Sequence, residues 1–334
     1  MFMRAYMAIF MGGNMPANKT NVRFTTRLLY PQAANNINEL ELRLWTPDSG
    51  SQPHEIAIMV HGFLEGIENE PRSRERWLKR YEAIAEELAQ RNIASIFLPM
   101  PLHFERMVPA AEGTLATIVQ RLKNNGTYLY YGGHDQFSTD IGLLIESILA
   151  EPTKYRLAPG NTKIHLIGYS LGGAAAMAAA TTNHGKVDSL SVLYSTWGLA
   201  NIPSEAIGAA FQDRYGFSAA DWNATMAVLA FRRESFDEAF QAVMWGEISP
   251  SWIGRFPKRV LFVHGLMDEL FPPEMTLAGS LAFFNQFSSM VQGLDAANRE
   301  QFEVAFINSY SDHFFIKRRK QVAAMIAGYI GVSR

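Results

Sequence analysis

The sequence KIHLIGYSLGGAAAMAAA, Lys163 to Ala180, is the most informative part of the chain about its fold. An apolar run ends at the pentapeptide GYSLG (168–172), and an alanine-rich stretch of high helical propensity follows at once. The pentapeptide fits the pattern G-x-S-x-G between a strand and a helix, where small flanking residues relieve crowding. There the hydroxyl of Ser170 projects from the sheet edge, and the helix directs its N-terminal N–H groups at the same place. The alternative is a glycine-rich turn that only connects strand to helix.

Outward from this stretch, apolar runs alternate with helical patterns. The pattern predicts βαβ crossovers and a mostly parallel sheet covered by helices on both faces, an α/β fold. Segments 22–29 and 39–45 have no helix between them, which predicts an antiparallel edge. We expect strands at 39–47, 55–63, 93–101, 163–168, 187–195, 259–265 and 302–308, and helices at 74–91, 134–150, 171–182, 274–287 and 314–330.

The chain divides into three predicted parts. Residues 1–19 are expected to form a loosely packed leader, with a degenerate secretory signal as the alternative. Because this segment makes no convincing signal peptide, a cytoplasmic protein is expected. Residues 20–197 and 257–334 are predicted to form the α/β core. Residues 198–256 lack good strand candidates and are rich in aromatic residues, which predicts a helical cap or lid inserted between two core strands.

Composition excludes several classes of function. The 334 residues have a formal net charge of −2, which gives no long-range attraction to nucleic acid. The chain has no cysteine, which removes disulfides, thiolate metal sites and thiol nucleophiles. No run of apolar residues is long enough to predict a membrane span.

A serine is a poor nucleophile unless a base takes its proton and a third group orients the base. Asp268 follows the predicted strand at 259–265, and His313 follows the predicted strand at 302–308. We therefore expect Ser170, Asp268 and His313 to act as nucleophile, acid and base. Glu269 and Glu205 are the alternative acids, and the other histidines are expected to pack or to cap helices.

The reaction also needs N–H donors for the oxyanion that forms on the attacked carbonyl. The backbone N–H of Leu171, directly after the nucleophile, is one candidate. The second is the N–H of Phe63, because His61 and Gly62 let the chain turn sharply after the strand at 55–63.

With these motifs, the chain resembles the α/β-hydrolase superfamily. The resemblance covers residues 20–195 and 257–334 and rests on His61-Gly62-Phe63, the pentapeptide at 168–172, Gly265…Asp268…Pro272 and Asp312-His313. It implies a central, mostly parallel sheet, a helical cap and the triad named above.

One segment departs from the pattern of many single-domain members of that superfamily. FLPMPLHFERMVPAAEG (97–113) stands where they have Asp-x-Pro-Gly-His-Gly, and its Pro-x-His-x-x-Arg is similar to that of some other hydrolase branches. His103 and Arg106 are therefore candidates for the mouth of the site, with a surface loop as the alternative. Tyr169 and Trp197 are further candidate pocket residues.

The expected reaction is hydrolysis of a carboxylic ester or a thioester through an acyl-enzyme, with no cofactor and no metal. A serine at this position excludes the dehalogenases and soluble epoxide hydrolases of the superfamily, which need a carboxylate there. The aromatic content of 198–256 favours an apolar acyl or aromatic group, although cap helices need apolar faces merely to pack. Amide or carbon–carbon cleavage stays open. Two other functions are a carrier-bound acyl thioesterase that docks through Arg232, Arg233 and Arg255, and a catalytically silent binding protein.

Overall fold

A computed structural model describes residues 17–27, 38–62, 65, 71–101, 103–106, 134–195, 198, 204–205, 212, 218–231, 233–267, 284–312 and 318–331. Within these residues, eight strands form one sheet in the order β1-β2-β4-β3-β5-β6-β7-β8. The strands are β1 (Asn18–Thr25), β2 (Glu39–Thr46), β3 (Glu55–Val60), β4 (Ile93–Leu98), β5 (Lys163–Tyr169), β6 (Ser189–Leu193), β7 (Arg259–Met267) and β8 (Glu303–Asp312).

Helices connect these strands and cover the sheet. Residues 284–292 are also helical, and short 3-10 turns occur at Phe104–Arg106, Pro152–Tyr155 and Arg233–Ser235. In the described part of the chain, no helix combines the length and apolar character that crossing a membrane requires. The α-helices are α1 (Pro71–Ala89), α2 (His134–Ala150), α3 (Leu171–Thr182), α4 (Ala219–Phe231), α5 (Glu238–Trp245), α6 (Pro250–Ile253), α7 (Ala296–Glu300) and α8 (Arg319–Gly331).

The strand directions confirm the predicted sheet. β1 pairs antiparallel with β2, and β2 pairs antiparallel with β4, which gives the expected antiparallel edge. Every later pairing, from β4–β3 through β7–β8, is parallel. The carboxyl ends of β3, β5, β6, β7 and β8 therefore meet at one edge of the sheet, where ligands bind in open α/β sheets.

The core lies on both faces of the sheet because side chains alternate along each strand. In β3, Ile56 and Ile58 face the core cluster that also contains residues of α2, α3 and α5. Ala57 and Met59 face a second cluster built with α1 and α8. Burial on both faces explains why β3 reads as a continuous apolar run rather than an alternating one.

Helix α3 is buried along almost its whole length, with only Thr182 absent from its buried residues. A helix in such a place cannot carry bulky side chains on every face, and its sequence LGGAAAMAAATT meets that condition. Alanine is also the residue with the highest helical propensity, so the same composition stabilises the helix locally.

Strands β7 and β8 continue farther than their apolar runs predicted. The expectation ended them at 265 and 308, whereas they reach Met267 and Asp312. The two strands pair with each other through this extension, with a register shift between Gly265 and Met267. The hydrogen bonds between the strands therefore keep polar residues in the sheet that hydrophobicity alone would assign to a loop.

The segment 198–256 contains α4, α5 and α6 among its described residues, and no strand lies there. Asp237 is the N-cap of helix α5, and its side chain accepts a hydrogen bond from the N–H of Ala239 at 2.8 Å. Phe240 and Val243 of α5 belong to the same core cluster as α3. Helix α5 thus packs on the core, and the lid at 198–256 stays a prediction.

Candidate active site

Ser170 lies at the sharp turn between β5 and α3. Its backbone has φ 50° and ψ −120°, a conformation that residues with a Cβ rarely adopt. Two hydrogen bonds hold it there: the N–H of Ser170 donates to the Leu193 carbonyl of β6 at 2.8 Å, and the Ser170 carbonyl accepts from the N–H of Gly173 at 2.9 Å. The side chain is partly exposed at the carboxyl edge of the sheet.

The glycines of the pentapeptide are required by close approach. A Cβ on Gly168 would lie 2.5 Å from the carbonyl oxygen of Gly172 and 2.7 Å from Cβ of Ala176. A Cβ on Gly172 would collide with the carbonyl oxygen of His61 and lie 2.9 Å from that of Val60. Any side chain at these positions would therefore separate β5 from α3, or α3 from the end of β3.

The contact at Gly172 also brings the chain after β3 beside the first turn of α3. Leu171 is the first residue of α3, so its N–H belongs to the group of helix N-terminal donors that have no partner within the helix. Phe63, the other predicted donor, lies outside the described residues. Its neighbour Gly62 donates its own N–H to Oε1 of Glu65 at 3.1 Å.

The predicted acid and base follow the ends of neighbouring strands. Met267, the last residue of β7, is paired in register with Asp312, the last residue of β8. Asp268 and His313 come next in sequence, and both lie outside the described residues. Because β5, β6, β7 and β8 are parallel, β7 and β8 end at the same edge of the sheet as β5, which leads into Ser170. The triad itself stays a prediction.

Of the two alternative acids, Glu269 lies outside the described residues. Glu205 is exposed on a helical turn after β6.

His103 and Arg106 do not lie in a surface loop: they are 0% and 1% exposed. Nη1 of Arg106 donates to Oδ2 of Asp140 at 2.6 Å and to the Pro99 carbonyl at 3.1 Å. Gln136 donates to the other oxygen of Asp140 at 2.6 Å. These contacts tie the segment after β4 to helix α2. A role for either side chain at the mouth of the site stays a prediction.

His103 belongs to a buried group of rings that also contains His61. Nδ1 of His103 lies 2.8 Å from the Pro101 carbonyl, and burial lowers the pKa of His103 to about 4. Nε2 of His61 accepts the N–H of Met100 at 2.8 Å, so its Nδ1 carries the proton and donates to the Gly62 carbonyl at 2.7 Å. Burial, and then the neighbouring His103, hold the pKa of His61 well below its usual value, so the His61 ring is neutral at pH 7.

Tyr169, a candidate pocket residue, is 1% exposed and directs its ring away from solvent. The ring makes an edge contact with Tyr194, with 5.8 Å between ring centroids, and the guanidinium of Arg80 lies 4.6 Å from its centroid. Trp197, the other candidate, lies outside the described residues.

Sequence reasoning missed a buried polar cluster formed by Glu65, Arg80 and Tyr81. Arg80 pairs with Glu65, and the Tyr81 hydroxyl donates to Oε2 of Glu65 at 3.0 Å. A signal was present, because Arg80 falls three residues after Trp77 and four before Ile84 on the apolar face of a predicted helix. A charge on such a face needs a buried partner.

Comparisons with known proteins agree with this architecture. No family model matches the chain, and no curated protein is similar to it in sequence. Among solved structures, an esterase from Pyrobaculum calidifontis is 12% identical, with a TM-score of 0.55 over 96% of this chain and 87% of that one. Carboxyl esterase 2 from Tuber melanosporum is 12% identical, with a TM-score of 0.54 over 98% and 89%. An esterase from Pyrococcus furiosus is 12% identical, with a TM-score of 0.52 over 96% and 95%. At these identities the likeness shows the fold.

Proposed function

Because this chain has the α/β-hydrolase fold, we propose that it is a serine hydrolase that cleaves carboxylic esters through an acyl-enzyme. The observation that carries the proposal is the backbone of Ser170, a partly exposed residue that is held at φ 50° directly after β5, at the carboxyl edge of the sheet. Strain of this kind is kept where function requires it, because a simple connecting turn would place glycine there.

In the proposed reaction, Oγ of Ser170 attacks the ester carbonyl while Nε2 of His313 takes its proton. Asp268 orients the imidazole and stabilises its protonated form. The imidazolium then gives the proton to the departing alcohol, which leaves an acyl group on Ser170. Water attacks this acyl-enzyme with His313 as base, and the acid product departs. The parallel ends of β7 and β8 support these assignments for the acid and the base.

The N–H groups of Leu171 and Phe63 are proposed to stabilise the negative charge that develops on the carbonyl oxygen. Helix α3 favours negative charge at this place because its dipole is positive at the N-terminus. Loss of one such donor typically raises the barrier by about 2.7–4 kcal/mol.

An apolar acyl or aromatic group stays the proposed substrate feature, but fewer residues support it than the composition suggested. Phe236, Phe240 and Trp252 are buried in the core cluster, so packing accounts for them. Trp222 is only partly buried, and Phe231 is 82% exposed. Because Trp222 and the equally partly buried Trp245 both pack against that cluster, Phe231 is the described aromatic side chain of this segment that packing explains least.

The carrier-docking alternative gains no support from its basic residues. Arg233 pairs with Glu247 and lies 4.9 Å from the centroid of the Trp245 ring. Arg255 lies 4.5 Å from the ring of Trp252. Both guanidinium groups are thus engaged within the protein, and Arg232 lies outside the described residues.

Covalent labelling tests the proposal. The intact mass of the wild type should rise by one phosphonyl group after incubation with a fluorophosphonate, and Ser170→Ala should stay unlabelled. Ser195→Ala is the matched control, because Ser195 is a buried serine beside the same turn, and this variant should label like the wild type. A folded wild type that resists labelling would favour a catalytically silent binding protein. If the wild type labels, fresh enzyme that has not met the fluorophosphonate would then be assayed on p-nitrophenyl esters and acyl thioesters of increasing chain length.

A further inference from the structure

A fully buried ion pair joins helix α1 to the chain after β3. Arg80 of α1 is 0% exposed and Glu65 is 1% exposed, and Nη2 of Arg80 contacts Oε2 of Glu65. Apolar residues of similar size often give equal or greater stability than a buried ion pair, because desolvation of two charges offsets their attraction. Stability alone is therefore a weak reason for this pair.

Glu65 binds the segment that leads to the predicted oxyanion donor Phe63 through a hydrogen bond to Gly62. Its Oε1 accepts the N–H of Gly62 at 3.1 Å, and a Cβ on Gly62 would lie 2.9 Å from that same oxygen. The same Cβ would lie 2.8 Å from Cε1 of Tyr169. Gly62 thus packs closely against both the Glu65 carboxylate and the ring of Tyr169, the residue that precedes Ser170.

Arg80 contacts both Glu65 and Tyr169, the two residues that pack against Gly62. Its guanidinium lies 4.6 Å from the centroid of the Tyr169 ring and 4.9 Å from that of Trp77. One side chain therefore touches both the carboxylate that holds Gly62 and the strand residue that leads into the nucleophile. In sequence, Gly62 directly precedes one predicted oxyanion donor and Tyr169 lies two residues before the other, so this contact links the segments that lead to both.

The charge of Arg80 also matters for the reaction. A carboxylate close to the oxyanion would oppose the negative charge that develops there, and Arg80 cancels that charge. Burial raises the pKa of Glu65 above its usual value, while Arg80, the Tyr81 hydroxyl and the Gly62 N–H oppose the rise. The cluster thus supplies a hydrogen-bond acceptor to Gly62 without adding net charge.

We infer that Glu65 and Arg80 are positioning residues: they hold Gly62, and with it the chain that leads to the predicted oxyanion donor, in register with Ser170. The inference rests on the proposed function and deepens it, because it names residues that act on the oxyanion without touching the substrate. They are expected to govern kcat rather than KM, since the oxyanion exists only in the transition state and the intermediate.

The decisive variant is the double substitution Glu65→Leu with Arg80→Met, which removes both charges and keeps apolar volume, so the fold is expected to form. Its kcat should fall by about tenfold to a hundredfold, because small displacements of catalytic groups have effects of this size. KM should stay within about twofold. Amide hydrogen exchange in a peptide covering residues 59–65 should become faster, while exchange in α3 stays as in the wild type.

Glu55→Gln is the control, because Glu55 begins β3 at the opposite edge of the sheet and pairs there with Lys163 and His165. It should leave kcat and the exchange of residues 59–65 unchanged. Tyr81→Phe deletes one hydrogen bond to Glu65 and is a milder second variant. It should lower kcat in the same direction by about two- to fivefold, so the inference is testable even where the double variant fails to fold.

The results separate the inference from the proposed function. A folded double variant, or Tyr81→Phe, with wild-type kcat and wild-type exchange would overturn the inference and leave the proposed function intact. A wild type that neither labels nor hydrolyses esters would overturn the proposed function, and with it the role of the Glu65–Arg80 pair in catalysis. Exchange at residues 59–65 would still show whether the pair holds the loop.

Discussion

Replacing Gly168 with alanine should disturb the proposed active site more than its chemical mildness suggests. The new Cβ would lie 2.5 Å from the Gly172 carbonyl oxygen, 2.7 Å from Cα of Gly173 and 2.7 Å from Cβ of Ala176. All three atoms belong to α3, and the first two are backbone atoms, so no rotation of a flexible side chain can relieve the overlap. Helix α3 must instead move away from β5.

The magnitude follows from that displacement. Ordinary contact begins near 3.4 Å, so α3 has to retreat by roughly 1 Å, and a misplacement of about 1 Å can lower a rate by about a hundredfold. Overpacking of a dense core typically costs about 1–3 kcal/mol of the free energy of unfolding. For a protein of 334 residues that corresponds to a Tm lower by about 1–4 °C.

Thermal unfolding and hydrolysis of p-nitrophenyl acetate measure the two effects on one preparation. Gly328→Ala is the matched control, because a Cβ on Gly328 of α8 would meet nothing within 4 Å. Alanine there should stabilise the helix by up to about 1 kcal/mol and leave turnover unchanged. A Gly168→Ala protein with the Tm and turnover of the control would refute the claim that close packing at the turn fixes the nucleophile.

Three further substitutions probe strain, charge and protonation. Ser170→Gly should lose fluorophosphonate labelling yet gain about 1 kcal/mol of stability in urea, since glycine adopts a positive φ freely; a less stable variant would contradict stored strain. Arg106→Met should lose about 3–5 kcal/mol because it strands the buried Asp140 carboxylate, and an unchanged urea midpoint would refute that ion pair. His103 has a folded pKa of about 4, below its usual 6.5, so its neutral form adds stability that is present above pH 6.5 and is lost as the pH falls towards 4. His103→Gln should flatten this part of the pH dependence, and urea midpoints at pH 7, 5 and 4 that still run parallel to the wild type would exclude this histidine as the cause.

Local patterns were sufficient to predict most of the fold. The predicted helices at 134–150 and 171–182 match α2 and α3, because each has a sharp start and a long apolar face. The antiparallel edge was predictable because no helix separates its two segments. The position of β4 between β2 and β3 was not stated from the sequence, since strand order depends on pairings distant along the chain.

The charged interior was the main feature that the sequence did not reveal. Periodicity puts Arg80 on an apolar helix face but does not identify its partner, because Glu65 and Arg80 are 15 residues apart and Arg106 and Asp140 are 34 apart. The Pro-x-His-x-x-Arg segment was noticed for its residue types, but the same types serve equally well at a site mouth or in a buried network. Only the three-dimensional contacts show that His103 and Arg106 lie in such a network.

Strand order also has a consequence for biosynthesis. From β5 to β8 the order in space equals the order along the chain, so an emerging polypeptide can widen the sheet one strand at a time. The turn at Ser170 comes at the beginning of this series, whereas Asp268 and His313 follow its last two strands. Under the proposed mechanism, the nascent protein therefore contains a folded turn at Ser170 but no complete triad until His313 has left the ribosome. Hydrolytic activity would then begin only in a chain that has completed its own sheet.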